Sequence, residues 1–122
     1  NNKLCGVFHS WTGNWQAAQK ALELGFYISF SGIVTFKQSL RSSQAAGLKN
    51  APDIQEVATR GPMSRILIET DSPFLAPEPH RGGKNEPGNV RITAQFLAKT
   101  RGLPFDKIAE ATTKNAKRLF GI

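Results

Sequence analysis

Three short apolar runs, separated by helix-like segments, constrain the fold of this chain of 122 residues more than any other feature. The runs are LCGVFHSW (residues 4–11), FYISFSGIVTF (26–36) and RILIETD (65–71), and their aromatic and β-branched residues are typical of strands. Strands that alternate with helices favour parallel pairing, which predicts an α/β fold. Because three parallel strands leave two open edges and cannot close a barrel, we predict one partial domain over residues 1–122.

The segments between the apolar runs carry apolar residues at helical spacing and end at residues that stop helices. In the first segment, Thr12 or Asn14 is placed to cap the start and Gly25 to close the end. The predicted helices are TGNWQAAQKALELG, PDIQEVATRG, NVRITAQFLAKTRG, PFDKIAEATT and NAKRLFG. Residues 37–51 are polar and show little pattern, and we predict that they form a loop insertion.

Charge and cysteine content limit the partners and the compartment of this protein. The formal net charge of +7 favours an anionic partner, for which nucleic acid is the usual candidate, although a membrane surface or no partner at all fits it too. The single cysteine, Cys5, excludes an internal disulfide and fits a reducing compartment, so we expect a cytoplasmic protein. No apolar run approaches the roughly 20 residues of a membrane helix. The chain begins at Asn1 and its only methionine is Met63, so we expect processing or a longer parent protein.

Polar residues follow two of the apolar runs at the point where each strand is expected to end. His9 stands before a turn and a helix, and Asp71 ends a run that should be buried on both faces. Glu69 and Asp71 lie two residues apart, so they point to one side of an extended chain. The carboxyl ends of parallel strands carry the active sites of α/β proteins, which makes these residues candidates for metal ligands or a general base.

Structural roles explain the same residues. His9 fits a hydrogen-bonded histidine at the margin of the core, and Asp71 fits a cap on the turn at Ser72. The following segment, PHRGGKNEP, supplies His80, Arg81 and Lys84 on a glycine-containing loop that is suited to holding a phosphate. A solvated surface loop explains those three residues equally well.

Four stretches of the chain resemble the C-terminal half of the TatD family of metal-dependent deoxyribonucleases. They are GVFHSWTG, LGFYISFSGIVTFK, ILIETDSPFLAPEPHRGGKNEP and ATTKNAKRLFGI, in the order and at the spacing of the family. The third is the most specific. The resemblance implies the last three strands and closing helices of a TIM-like (β/α)8 barrel. The chain departs from the family pattern at Ser10-Trp11, where Cys-Phe is usual, and at the insertion over residues 37–51.

The resemblance also implies the chemistry. His9 and Asp71 would bind a divalent metal ion (Mg, Mn or Zn), and Asp71 would activate water for hydrolysis of a DNA phosphodiester bond. Glu69, His80, Arg81 and Lys84 are our candidates for contacts with the DNA substrate. The alternatives are a basic nucleic-acid-binding module without catalysis, and a related barrel hydrolase that acts on another ester or amide.

The same resemblance implies that further metal ligands lie outside this chain. The family carries a His-x-His on its first strand, a glutamate on its fourth and a histidine on its fifth. A catalytic zinc-type site needs about three protein ligands and a water. We therefore expect the full-length protein to be a monomer in which the N-terminal half of the barrel completes the site. We expect the 122-residue chain by itself to bind metal poorly and to cleave little or no DNA.

Overall fold

The computed structural model describes residues 4–37 and 50–122. Its strands are β1 (Val7–Phe8), β2 (Tyr27–Phe30) and β3 (Ile66–Ile68), and its α-helices are α1 (Trp15–Glu23), α2 (Ala51–Arg60), α3 (Val90–Arg101) and α4 (Phe105–Phe120). Short 3-10 helices cover Gly32–Thr35, Met63–Arg65 and Pro87–Asn89. Among these described residues, no helix is both long enough and apolar enough to traverse a membrane.

The three strands form one parallel sheet in the order β1-β2-β3, as their alternation with helices predicts. Val7 pairs with Tyr27, and Ile28 pairs with Ile66, so the strands are in a register that brings their carboxyl ends to one edge. The central strand is buried along its whole length. Tyr27, Ile28 and Phe30 give it large apolar side chains on both faces, as is usual for parallel sheets covered by helices, and Ser29 is its one small polar residue.

The helices pack against one another in chain order and cover the sheet. Ile28, Phe30 and Ile66 from the strands have no exposed surface, and neither do Leu97 of α3 and Ile108 of α4. Since burial of each such side chain contributes about 1.5–3 kcal/mol, this contact between sheet and helices is the main source of cohesion. It fixes where the strand ends lie.

Local sequence signals define most helix boundaries. The side chain of Asn14 accepts a hydrogen bond of 2.9 Å from the backbone N–H of Ala17, so Asn14 is the cap of α1. Gly102 and Gly121 follow α3 and α4 with φ angles of 64° and 67°, the left-handed conformation that glycine adopts without strain. These boundaries were expected from the sequence.

Two sequence-based expectations about secondary structure were wrong. The apolar run 26–36 is a strand only over Tyr27–Phe30 and then tightens into a 3-10 helix. The two helices expected at the C-terminus are one helix, α4. The helix continues through Thr113 and Lys114, where the break was expected, and just before them Thr112 donates a hydrogen bond of 2.8 Å back to the carbonyl of Ile108.

The insertion expected over residues 37–51 falls mostly on positions 38–49, which lie outside the described residues. At its C-terminal end, Ala51 already belongs to α2. The insertion and its boundaries stay a prediction.

Candidate metal centre

The candidate centre lies where β1 and β3 end, on either side of the end of β2. His9 directly follows β1, and Glu69 directly follows β3. The backbone N–H of Glu69 donates to the carbonyl of Phe30 at 3.0 Å, which ties the end of β3 to the end of β2. The parallel sheet therefore brings together two residues that are 60 positions apart in sequence.

Three side chains converge at this edge and could hold a metal ion. His9, Glu69 and Asp71 each offer one ligand atom, and these atoms lie within 4.8 Å of one another. An imidazole nitrogen with carboxylate oxygens is a donor set that suits Zn²⁺ or Mn²⁺, and the carboxylates suit Mg²⁺. The residues therefore fit the divalent metal ion that the family resemblance implies, without selecting one metal.

Glu69 contacts the strand-end residues of β1 through both of its carboxylate oxygens. Its Oε1 lies 2.9 Å from His9 Nδ1, and its Oε2 accepts a hydrogen bond of 3.1 Å from the backbone N–H of Ser10. Ser10 has a φ angle of 47°, and its hydroxyl lies 2.8 Å from that of Ser31. The turn after β1 is thus held both from β3 and from the end of β2.

The carboxylates of Glu69 and Asp71 favour the protonated form of His9. The hydrogen bond with Glu69, then the negative charge of Glu69 and that of Asp71, raise the pKa of His9 above its ordinary value, and the slight burial of the ring opposes them. The His9 side chain is 68% exposed and that of Glu69 only 21%. The imidazole consequently lies on the solvent side of the cluster, where a metal ion or a proton can reach it.

Asp71 is held in a backbone conformation that aspartate adopts infrequently. Its φ angle is 58°, and that of Leu75, four positions later, is 57°. Such left-handed residues persist where the surrounding structure fixes them, and they cluster at functional sites. The direction in which the Asp71 carboxylate points is therefore set by this loop and not by the continuation of β3.

A buried asparagine, Asn85, fixes that loop. Its side-chain amide donates to the carbonyls of Thr70 and Phe74, and its backbone N–H donates to that of Pro73 at 3.0 Å. The residue is only 2% exposed. The sequence pattern assigned Asn85 no functional role. The available signal was an amide that follows a loop rich in proline and glycine, where backbone groups lack partners from secondary structure.

The three basic-loop candidates lie outside the metal cluster of the described residues. The guanidinium of Arg81 lies 4.2 Å from the ring centroid of Phe36, a cation–π contact that anchors the loop to the end of the 3-10 helix after β2. His80 and Lys84 are exposed and line a cavity of about 300 Å³ together with Glu86. Their contacts with substrate stay predictions.

A second cavity, of about 230 Å³, adjoins the cluster. His9, Ser29 and Glu69 form its polar part, and apolar strand residues together with Ala116 and Phe120 form the rest. Phe120 is 61% exposed, so this apolar surface is open to solvent along the side of β3.

Comparison with known proteins supplies independent information on this arrangement. The family profile described as "TatD related DNase" matches residues 1–121. The chain is 45% identical over 117 residues to the "Uncharacterized metal-dependent hydrolase YcfH" of Escherichia coli K12, covering 96% of this chain and 40% of that protein. It is 43% identical to the similarly named YabD of Bacillus subtilis, covering 96% and 41%. The chain thus spans about 40% of the length of the curated relatives it matches.

Solved structures agree with the fold. The crystal structure of YJJV, a TatD homologue from Escherichia coli K12, superposes with a TM-score of 0.79 at 28% identity, over 96% of this chain and 40% of that one. A TatD-family hydrolase from Entamoeba histolytica gives a TM-score of 0.75 at 18% identity, over 97% and 42%, which supports the fold alone. The expected α/β fold, the C-terminal part of a TIM-like barrel, is confirmed.

Proposed function

Because this chain belongs to the TatD-related DNase family, we propose that it forms the C-terminal part of a divalent-metal-dependent hydrolase that cleaves DNA phosphodiester bonds. The observation that carries the proposal is the convergence of His9, Glu69 and Asp71 at the strand ends. The names of the relatives, metal-dependent hydrolases, support the class of reaction. The family description and the net charge of +7 support DNA as the substrate.

In this proposal His9 and Asp71 are metal ligands, and Asp71 also interacts with the water molecule that attacks the phosphate. A bound divalent ion would lower the pKa of a water molecule and neutralise charge on the phosphate oxygens. Asp71 orients that water or accepts its proton, a role open to a carboxylate held at a fixed angle by its loop. His9 contributes a nitrogen from the exposed side of the cluster. Ligands from outside these 122 residues complete the coordination.

The proposed DNA contacts come from the basic loop. Lys84 is exposed beside a cavity and carries a mobile charge suited to a phosphate oxygen, whereas Arg81 stacks on Phe36. His80 lines the same cavity as Lys84. Glu69 has both oxygens engaged with His9 and Ser10, so we propose no direct contact between it and DNA.

A panel of substrates tests the proposal. The complete gene product is incubated with single- and double-stranded DNA, RNA, and small carboxylic esters and amides, with Mg²⁺, Mn²⁺ or Zn²⁺ and then with EDTA. We expect DNA cleavage that EDTA abolishes and added metal restores, because the water nucleophile needs the metal ion. Ester or amide hydrolysis without DNA cleavage would favour the related barrel hydrolase. Salt-sensitive DNA binding with no cleavage under any metal would favour the non-catalytic binding module.

Lys84→Ala tests the proposed phosphate contact. Loss of one ion pair with duplex DNA should weaken binding to all sequences alike and reduce the slope of log affinity against log salt by about 0.9. The measurement is fluorescence anisotropy with labelled duplex DNA at several salt concentrations. Lys20→Ala is the matched control, since Lys20 is an exposed lysine on α1. Equal salt slopes for the two variants would contradict a contact between Lys84 and DNA.

A further inference from the structure

We propose that Glu69 is a positioning residue for His9: it fixes the imidazole in the tautomer that carries its proton on Nδ1 and so leaves Nε2 free for a metal ion. The inference rests on the proposed function, in which His9 is a metal ligand. It assigns Glu69 a role different from both metal ligation and substrate contact.

The hydrogen-bond inventory of Glu69 supports this role. An ionised carboxylate only accepts hydrogen bonds, so the Oε1 atom 2.9 Å from His9 Nδ1 requires a proton on that nitrogen. In neutral histidine, a proton on Nδ1 leaves Nε2 as the unprotonated nitrogen, the form that binds metals. A carboxylate that accepts from the second ring nitrogen of a metal-binding histidine is a recurring arrangement, and it orients the ring and increases its basicity.

The second oxygen of Glu69 fixes the backbone that carries the ring. Oε2 accepts from the Ser10 N–H at 3.1 Å, and Ser10 is in the left-handed region at φ 47°. The two carboxylate oxygens of Glu69 therefore contact two consecutive residues after β1, His9 and Ser10. The carboxylate is itself anchored, because the Glu69 N–H donates to Phe30 of the central strand at 3.0 Å. Glu69 thus connects the position of His9 to the rigid part of the sheet.

The difference in exposure agrees with this assignment. The Glu69 side chain is 21% exposed, and the His9 side chain is 68% exposed. Glu69 therefore lies nearer the protein interior than His9 does. The two ring nitrogens lie on different edges of the imidazole, so a ring that presents Nδ1 to the partly buried carboxylate presents Nε2 elsewhere. Asp71, with no hydrogen bond to either residue among those described, is the carboxylate available for the metal ion.

Glu69→Gln is the informative substitution because it keeps the size of the side chain. The Ser10 N–H can only donate, so it should take the one amide oxygen, and the amide NH₂ then faces His9 Nδ1. That contact favours the opposite tautomer, with the proton on Nε2. A purely structural role would be preserved by glutamine, since both contacts can still form.

The test is ¹⁵N NMR of the metal-free complete gene product labelled at histidine, at a pH where the imidazoles are neutral, with the His9 signals assigned by their loss in His9→Gln. His80, an exposed histidine outside the metal cluster, is an internal reference. We expect the Nδ1–H tautomer to predominate at His9 in the wild type and the Nε2–H tautomer in Glu69→Gln. We also expect Zn²⁺, added in steps, to shift the Nε2 signal of the wild type and to bind the variant 10- to 100-fold more weakly. Glu23→Gln, on an exposed residue at the end of α1, is the control and should behave as the wild type.

Three results would overturn the proposal: a wild-type His9 with its proton on Nε2, an unchanged tautomer in Glu69→Gln, or a Zn²⁺ shift at Nδ1 that makes Glu69 a fellow ligand. The first does not use Glu69→Gln and so does not depend on how well that variant folds. The tautomer is measured without metal or DNA, and so failure of the DNase proposal alone would leave this result unaltered.

Discussion

Replacing Asp71 with asparagine is expected to lower the rate of metal-dependent DNA cleavage about a thousandfold, within the 10²–10⁴ range for loss of a general base. Asparagine offers a neutral oxygen where the proposed function needs a charged ligand that can also take a proton. The measurement is the single-turnover rate at saturating metal in the complete gene product. DNA binding should change little, because Asp71 is assigned to the water and the metal and not to the phosphate backbone.

The choice of asparagine separates chemistry from backbone strain. Asp71 has a φ angle of 58°, and asparagine is among the few non-glycine residues that adopt this conformation readily. Alanine at this position would mix the loss of a carboxylate with a strained loop. Asp106→Asn is the control, since it removes an exposed carboxylate from the first turn of α4. Retention of cleavage in Asp71→Asn, with DNA binding intact, would refute the catalytic assignment.

The location of the candidate site was predictable from sequence, because it follows from topology. Parallel strands end at a common edge, so a histidine after the first apolar run and carboxylates after the third are expected at the same edge of the sheet, on the two strands that flank β2. The structure brings one ligand atom from each of His9, Glu69 and Asp71 within 4.8 Å of the others, at the edge that the strand-end positions predicted. Whether His9 and Asp71 bind metal stays a prediction.

The internal arrangement of the site was not predictable in the same way. The expectation that Glu69 and Asp71 share one side assumed an extended chain, but Asp71 has left the extended conformation. Its position depends on Asn85, which lies 15 residues after Thr70 and bonds to that residue's carbonyl. A long-range contact between an amide and loop carbonyls leaves no periodic pattern in the sequence, so local rules could not find it.

Local sequence rules also failed to predict that α4 is one continuous helix. Two helices were expected, the first ending at Thr113, and threonine has a weak intrinsic preference for helix. Asn115 donates to the carbonyls of Met63 and Ile66 at 2.7 and 2.8 Å, joining the helix to the start of β3. This tertiary contact outweighs the weak local preference for helix.

The loop that carries Asp71 also depends on Gly32, at the end of β2. A Cβ atom at Gly32 would lie 2.3 Å from the carbonyl oxygen of Leu75 and 2.9 Å from the nitrogen of Pro77, both of them backbone atoms. Nearby, the Glu78 N–H donates to the Thr35 hydroxyl at 2.9 Å. The returning loop thus packs directly on the residues after β2, at a distance that only glycine permits.

Gly32→Ala is therefore expected to reduce the free energy of unfolding by about 3 kcal/mol, because overpacking against backbone cannot be relieved by a side-chain rotation. Urea denaturation, with the slope compared between variants, measures the change. Gly88→Ala is the matched control, since no heavy atom lies within 4 Å of its added Cβ, and it should stay within about 0.5 kcal/mol of the wild type. Equal midpoints for the two variants would show that the loop can move away from β2 at little cost. The fixed direction of Asp71 would then have to come from Asn85 alone.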